Sequence, residues 1–347
     1  MKPKSETLTL KDIAKALNLS VATVSKAVRD SHEISYATKK LVKEYADSHN
    51  YRPNLMAKML RHKNGRSIGV IIGAIPNNFF SDVLNGMESI THQKDYHIII
   101  TQSLESAARE EKNLEHLTWR AVDGLLVSLS SETQSVDHFK EVHESGIPIV
   151  FYDRVTDEIQ THQVVADNIG GTYKGTMHLI KNGFTRIAHI TSSRDLSITK
   201  ERLLGYEKAL KEQGIPINTD YIKYCNHGGK DLNEIETAID ELLAMKQRPD
   251  AVITASDRIT IGAMAILKKK KISIPKQIAL VGYSNFYAPE IFNPELTTIR
   301  QPAFEMGRAA AELLIKLIES KRQPVKFEKR VLPVELFVRE SSMARKK

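Results

Sequence analysis

The sequence predicts an α/β protein: a small all-helical head followed by a large body of two doubly wound parallel-sheet halves. Three observations carry the prediction. Residues 1–66 hold 14 Lys/Arg against 6 Asp/Glu, whereas the remaining residues hold 36 of each. Within that basic head, apolar residues recur at helical spacing in two short segments separated by a brief turn. Beyond residue 67, fully apolar runs of strand length alternate with longer helical stretches, as expected of buried parallel sheets covered by helices. A chain of 347 residues with 41% hydrophobic and 27% charged content is long enough for two or three domains with buried cores.

The head divides into three helices. Thr9 precedes Leu10–Leu17, and Asp12 three residues on completes a capping box in which Asp replaces the usual Glu or Gln. Ile13, Ala14 and Leu17 share one face. Asn18-Leu19 makes a tight connection, and Ser20 caps a second helix over residues 21–28. Val24, Ala27 and Val28 face inward there, leaving Val21, Ala22, Ser25, Lys26 and Arg29 outside. Ser35 caps a third helix, with Leu41, Val42, Tyr45 and Ala46 as its packing face. Two short helices joined by a brief turn suit the DNA-binding helix-turn-helix, whose second helix needs short side chains at its start to approach base edges. An ordinary three-helix bundle has the same caps and periodicity; the charge excess favours a phosphate-lined partner. Val21, Ala22 and Lys26 then face bases, while Ser20, Thr23, Ser25 and Tyr51 hold phosphates.

Residues 53–66 join head to body. Pro53 suits a first helical turn; Leu55, Met56, Met59 and Leu60 are apolar, and Lys58, Arg61, Lys63 and Arg66 are basic. One reading is a linker helix docked on the body. The other is a hinge helix that forms on DNA, with Leu60 as a minor-groove wedge, Ala57 allowing paired hinges to approach, and Asn54, Lys58 and Arg61 on the DNA side.

In the body, strands are expected at 68–72, 97–100, 124–127, 147–151, 187–190, 251–253 and 278–281. Helices are expected at 81–94, 106–120, 170–182, 200–213, 231–247 and 258–270. Seven strands exceed one small sheet, so two halves follow. Ligands of such sheets sit beyond the carboxyl ends of the strands. Residues there are Asn77, Phe79 and Phe80 after the first strand, Ser128 and Ser130 after the third, and Asp153 and Arg154 after the fourth. Ser256 and Asp257 follow residues 251–255, and Ser284 follows residues 279–283. His227 either lines the same cleft or is a solvated loop histidine.

At this point the chain resembles the lactose-repressor (LacI/GalR) family of bacterial transcription regulators. The resemblance rests on residues 9–30, 50–71, 123–128, 164–171, 202–210, 256–267, 274–285 and 294–302. It implies a head at 1–52, a hinge at 53–66, and a periplasmic-binding-protein-like effector and dimerisation body at 67–341. The implied N-subdomain spans about 67–166 and 296–322, and the C-subdomain about 167–295 and 323–341. It also implies that Phe80 walls the ligand and that Asp153 and Arg202 hydrogen-bond it. Taken singly, Phe80 could instead be core and Asp153–Arg154 a surface pair. Two departures stand out: Ser256 replaces the frequent Asn before Asp257, and Ser284 replaces a frequent Asp, removing a strong acceptor for paired hydroxyls.

The resulting expectation is a homodimeric, ligand-responsive DNA-binding regulator, a repressor of carbohydrate or nucleoside metabolism acting on a pseudo-palindromic operator. Its effector would be a sugar, sugar phosphate or nucleobase. No cofactor or metal and no catalysis are expected: the body has no G-x-S-x-G elbow, Cys/His cluster or H-E-x-x-H pattern, and Gly170-Gly171 lacks the Gly-Lys-[Ser/Thr] of a phosphate loop. The lone Cys225 and the absence of an apolar segment behind the first lysines point to the cytoplasm. The alternative is a solute-binding protein of a transport system on the same body fold; an enzyme on a doubly wound fold comes third.

Overall fold

The computed structural model describes residues 8–28, 30–49, 51, 65–320, 324 and 326–343. The chain forms two compact units, residues 1–65 and 66–347.

The first unit contains α1 (Leu10–Ala16), α2 (Val21–Val28) and α3 (Tyr36–Ser48). Thr9 and Asp12 cap α1 reciprocally: Thr9 Oγ1 accepts from Asp12 N at 3.3 Å, and the Asp12 carboxylate accepts from Thr9 N at 2.8 Å. Asn18 turns the chain in the left-handed region at φ 53°. Ser20 Oγ accepts from Thr23 N at 3.0 Å, and Ser35 Oγ from Thr38 N at 3.3 Å, so each hydroxyl satisfies an orphan donor of its helix. Ile13, Ala14, Val24, Ala27, Val42 and Ala46 form the core, with Leu17, Val28 and Tyr45 packed around it. Leu41 departs from expectation and is exposed. It lies about 100° around α3 from Val42, beyond the narrow stripe that two short neighbours can cover.

The second unit holds two sheets. The first runs β11 (Lys329–Leu332), β5 (Gln163–Ala166), β4 (Ile149–Tyr152), β3 (Gly124–Val127), β1 (Ser67–Ile72), β2 (His97–Gln102), all parallel. The second runs β12 (Glu335–Phe337), β10 (Thr297–Arg300), β9 (Ala279–Tyr283), β8 (Ala251–Thr254), β6 (Ile187–Ser192), β7 (Ile222–Cys225); β12 alone is antiparallel to its neighbour. Helices α4 (Asn78–Gln93), α5 (Ala107–Trp119), α6 (Asp137–Glu144) and α11 (Ala303–Glu319) belong to the first half. Helices α7 (Asn168–Lys181), α8 (Ser197–Glu212), α9 (Leu232–Ala244) and α10 (Asp257–Lys269) belong to the second.

The chain passes between halves three times. The first passage, after β5, falls at residue 167. The other two lie downstream of residues 295 and 322, where the resemblance places the subdomain ends. Strand β10 pairs with β9, so the second half continues to Arg300, and α11 then packs on α4. Strand β11 pairs with β5, so the third passage falls between Leu332 and Glu335. In each sheet the strand order reverses once, between β1 and β3 and between β6 and β8; these are the places where doubly wound sheets bind ligands.

One contact fixes the first half. A Cβ on Gly86 would lie 2.0 Å from the Phe304 carbonyl oxygen, and one on Gly307 would lie 2.0 Å from that of Val83. The backbones of α4 and α11 therefore touch at two points where only glycine fits.

Candidate functional site

In the head, Val21 and Ala22 begin α2 and are exposed. Lys26 lies in the last turn of the same helix. Ser20 and Thr23 hydroxyls meet each other at 2.8 Å in addition to their capping role. Tyr51 donates its backbone N–H to Ala46 O at 2.8 Å and packs on the head core, where burial pushes its phenol up. Ser25 is half-buried on α2. Arg29, Asn54, Ala57, Lys58, Leu60 and Arg61, and with them the hinge, lie outside the described residues.

In the second unit, polar side chains converge between the carboxyl ends of the two sheets. Asp153 follows β4 at φ 57°, a left-handed conformation uncommon for a non-glycine residue, and is buried. Its Oδ1 faces Gln301 Nε2 at 3.5 Å, and burial raises its carboxyl while the charges of Arg154 and Arg202 oppose that shift. Arg154 is buried as well, its Nε 3.9 Å from Asp153 Oδ2. Its guanidinium forks onto Glu105, Nη1 to Oε2 at 2.5 Å and Nη2 to Oε1 at 3.2 Å, with a further bond from Nη1 to Leu129 O at 3.2 Å. An exposed Asp153–Arg154 pair is therefore excluded.

Glu105 also accepts from Ser131 N at 3.0 Å. Burial pushes its carboxyl up, but Arg154 and these hydrogen bonds more than reverse that and hold it below its ordinary value. Ser130 is fastened from beneath by Glu110, which accepts from its backbone N–H at 2.7 Å. Phe79 and Phe80 belong to the core with Val83 and Met87. The rim of the Phe80 ring stands 3.0 Å from where a Gly73 Cβ would sit, beside Glu105, so it borders the cleft. Asn77 is occupied in capping α4, accepting from Phe79 N at 2.9 Å.

From the second half, Arg202 is buried on α8. Its Nε donates to Asn168 Oδ1 at 2.9 Å, its Nη1 donates to the Ala255 carbonyl, and its guanidinium lies 4.0 Å above the Tyr283 ring. Ser284 Oγ donates to Asp257 Oδ1 at 2.5 Å. Asp257 thus places a carboxylate beside Ser284; burial raises its carboxyl while the Ser284 bond opposes that shift. Ser256 caps α10, accepting from Ile259 N at 3.3 Å. His227 is exposed, and its Nδ1 meets Glu234 Oε1 at 2.9 Å; that contact raises the imidazole. Its neighbour Gly228 points at the Glu105–Arg154 pair, 3.6 and 3.9 Å from a would-be Cβ. His227 therefore sits at the rim.

Sequence reasoning missed Glu105, Asp82, Ser131, Ser192, Asn285 and Gln301. Asp82 is hydrogen-bonded to Asn285, and burial raises its carboxyl. Asn285 in turn donates to the Gln301 carbonyl at 2.8 Å. Glu105 and Ser192 follow or end the second and sixth strands, so the rule that found Asp153 would have found them if applied to every strand. Among the described residues, further contacts join the halves: Val155 N donates to Ser197 Oγ at 3.2 Å, Lys230 Nζ to Leu104 O at 3.2 Å, and Lys329 Nζ lies 3.9 Å from Glu201 Oε1, beside the Asp82–Asn285 and Asp153–Gln301 contacts. The side-chain oxygens of Ser128, Ser131, Thr191 and Ser192 are buried with no protein partner among the described residues.

Two family models match the chain: bacterial regulatory proteins of the lacI family over residues 9–54, and a periplasmic binding protein-like domain over 176–342. The chain is 31% identical over 330 residues to the HTH-type transcriptional repressor PurR of Vibrio parahaemolyticus serotype O3:K6, covering 94% of this chain and 96% of that protein. It is 31% identical over 335 residues to the HTH-type transcriptional regulator RegA of Clostridium saccharobutylicum, covering 96% and 99%. Among solved structures, a CelR–cellobiose complex is 27% identical with TM-score 0.72, covering 96% of this chain and 99% of that one. A LacI-family regulator of Enterococcus faecium with bound ribose is 28% identical with TM-score 0.69, covering 81% of this chain and 100% of that one. The lac repressor dimer on operator shares the fold at TM-score 0.79 and 23% identity, covering 98% and 100%. No helix among the described residues is long and apolar enough to cross a membrane.

Proposed function

Because the chain belongs to the lacI family of bacterial regulatory proteins, we propose specific duties for its residues within that family's work. The protein is a ligand-responsive DNA-binding transcription regulator. Two copies bind a pseudo-palindromic operator as a homodimer, because a two-fold dimer presents two equal recognition helices. Val21 and Ala22 contact thymine methyls and Lys26 takes guanine acceptors, while Ser20, Thr23, Ser25 and Tyr51 meet phosphates. Arg29, Asn54, Ala57, Lys58, Leu60 and Arg61 continue the DNA face, with Leu60 as the minor-groove wedge. We assign the chain no catalytic step, cofactor or metal, and place it in the cytoplasm. The head leaves a solute-carrier role without support.

We assign the effector to neutral, polyhydroxylated molecules, and so to carbohydrates. The observation that carries this is the pair of buried serine hydroxyls lacking a protein partner at the two points where strand order reverses, Ser128 after β3 and Ser192 at the end of β6. Buried polar groups are nearly always hydrogen-bonded, so such hydroxyls favour a ligand that donates and accepts. Charge points the same way. Arg154 is matched by Glu105, Arg202 is committed to Asn168 and Ala255, and the charge of Arg258 is met by the Glu105 and Asp257 carboxylates, so the cations here are balanced by acids or fixed acceptors. Asp82, Asp153 and Asp257 offer acceptors for paired hydroxyls. Asn77, Phe79, Phe80, Ser130, Arg154, Ser256, Ser284 and His227 support or border these groups.

The test is a thermal-shift and calorimetric screen of the full-length protein with ribose, cellobiose, other neutral sugars, sugar phosphates and purine bases. A binder at one hundred times its Kd stabilises by about 2.7 kcal/mol. Neutral sugars are expected to raise the melting temperature and sugar phosphates to leave it unchanged. A response to phosphates or purines alone would overturn this assignment. The effector acts by changing the angle between halves, with a coupling of about 1–3 kcal/mol that operator and effector feel reciprocally.

A further inference from the structure

Lys26 is not alone on the recognition helix. Its ammonium is hydrogen-bonded to Glu33 Oε2, across the turn between α2 and α3. That turn is anchored. Ser31 N donates to the carbonyl of Lys26 itself at 3.1 Å, Ile34 N donates to Ser31 O at 3.2 Å, and Glu33 N donates to Ser31 Oγ at 3.4 Å. Lys39 clamps the start of the turn, its Nζ 3.2 Å from the Asp30 carbonyl and 2.8 Å from the Asp30 carboxylate. Ile34 packs on the head core, and Glu33 beside it is exposed. The Glu33 carboxylate is thus held at the Lys26 ammonium by a fixed piece of backbone.

Stability does not account for the pair. The two side chains are 44% and 53% exposed, and ion pairs that open to water add little. An acid beside a DNA-facing lysine also repels phosphates, so electrostatics alone would remove it. Chemistry supplies a role. In the major groove a G·C pair presents two acceptors on guanine and an amino donor on cytosine. An ammonium and a carboxylate held together present the complement, a donor beside an acceptor. We infer that Lys26 and Glu33 read G·C as a unit: Lys26 donates to guanine O6 and N7, and Glu33 accepts from the N4 amine of the same or the adjacent cytosine. Glu33 is then a specificity-determining residue, and it also weakens the hold of Lys26 on bare phosphate. This rests on the reading above that α2 enters the major groove.

The experiment is a random-duplex selection with full-length wild type, Glu33→Met and Lys26→Ala, followed by titration of single-base variants of the selected operator at fixed salt. Methionine has about the length of glutamate without its strong acceptor, and melting curves check that each variant is folded. Lys26→Ala is expected to flatten preference at one G·C pair per half-site. Glu33→Met is expected to reduce discrimination at that pair or its neighbour by about ten-fold, while binding scrambled duplex as well as wild type or better. If Glu33→Met keeps the wild-type ranking at every position, including the pair that Lys26→Ala flattens, Glu33 merely masks Lys26 and the inference is overturned. If Lys26→Ala also changes no ranking, the groove assignment of α2 fails first, and the inference with it.

Discussion

Glu105→Gln tests the structure of the cleft through one charge. Glu105 and Arg154 are both buried and joined by two hydrogen bonds of 2.5 and 3.2 Å. The substitution keeps the shape and leaves Arg154 as a buried cation facing an amide. At a charge separation near ~4 Å and an effective dielectric of ~20, the lost attraction is about 4 kcal/mol. Removing one partner of a buried pair typically destabilises by about 3–5 kcal/mol, and the amide carbonyl still accepts one N–H, so the lower end applies. A loss of about 3 kcal/mol lowers the melting temperature of a domain this size by about 6–12 °C.

The pH dependence gives a second arm. Glu105 is held below its ordinary value of 4.5 in the folded protein. Its contribution is therefore complete above about pH 4.5, where the unfolded chain is also ionised, and is lost as pH falls through the folded value. Wild type should lose that stability on acidification below pH 4.5, and Glu105→Gln should not. Melting curves of both proteins from pH 7 down to about pH 3.5 measure both arms. Glu105→Leu combined with Arg154→Leu should recover most of the stability, because an apolar pair of similar volume often replaces a buried ion pair without loss. A Glu105→Gln melt within about 1 °C of wild type at pH 7 would refute the claim that this pair holds the first half's edge of the cleft.

Four further outcomes are expected. Lys26→Ala should weaken operator binding by about 1–3 kcal/mol in mobility-shift titrations, and equal loss on scrambled duplex would remove its base-reading role. Ser192→Ala should leave the melt of the free protein nearly unchanged, since its hydroxyl has no protein partner, yet weaken effector binding by about 0.5–1.5 kcal/mol by calorimetry. Gly307→Ala should destabilise by about 3 kcal/mol or more, because its Cβ would meet a backbone oxygen at 2.0 Å rather than a yielding side chain; an unchanged denaturant midpoint would contradict the α4–α11 contact. Ser20→Ala should destabilise the head by about 1 kcal/mol through loss of its cap, measured by the exchange of head amides.

What could be read in the chain follows a physical pattern. Signals that are local were legible: the Thr9–Asp12 box, the Ser20 and Ser35 caps and the wholly apolar central strands each declare themselves within a few residues. The five strands that were missed are short or marginal. Strands β7 and β11 are half-exposed edges, β12 has three residues, and β5 and β10 mix polar with apolar residues. Their pairing is set by tertiary neighbours, and with it the points where the chain changes halves. Helix α11 is amphipathic and was legible in principle, because its apolar face repeats at helical spacing. Asp153 was found by its position after a strand, but the partner of Arg154 was not, since Glu105 lies 49 residues away and no spacing rule joins them.

The magnitudes also explain why such a body can act as a switch. Within the first half, α4 and α11 meet backbone to backbone at Gly86 and Gly307, a contact that admits no sliding without separating the helices. Between the halves, the polar bridges among the described residues include single hydrogen bonds, Val155 N to Ser197 Oγ, Lys230 Nζ to Leu104 O and Asp82 to Asn285, with longer contacts from Gln301 to Asp153 and from Lys329 to Glu201. Each such bond contributes about 0.5–1.5 kcal/mol net. Changing two of them is enough to match the coupling of about 1–3 kcal/mol by which one site alters another. A ligand that adds a few hydrogen bonds across the cleft therefore supplies enough free energy to change the angle between the halves. It falls well short of what would deform either half, whose parallel sheets and glycine-to-carbonyl helix contact move as rigid pieces.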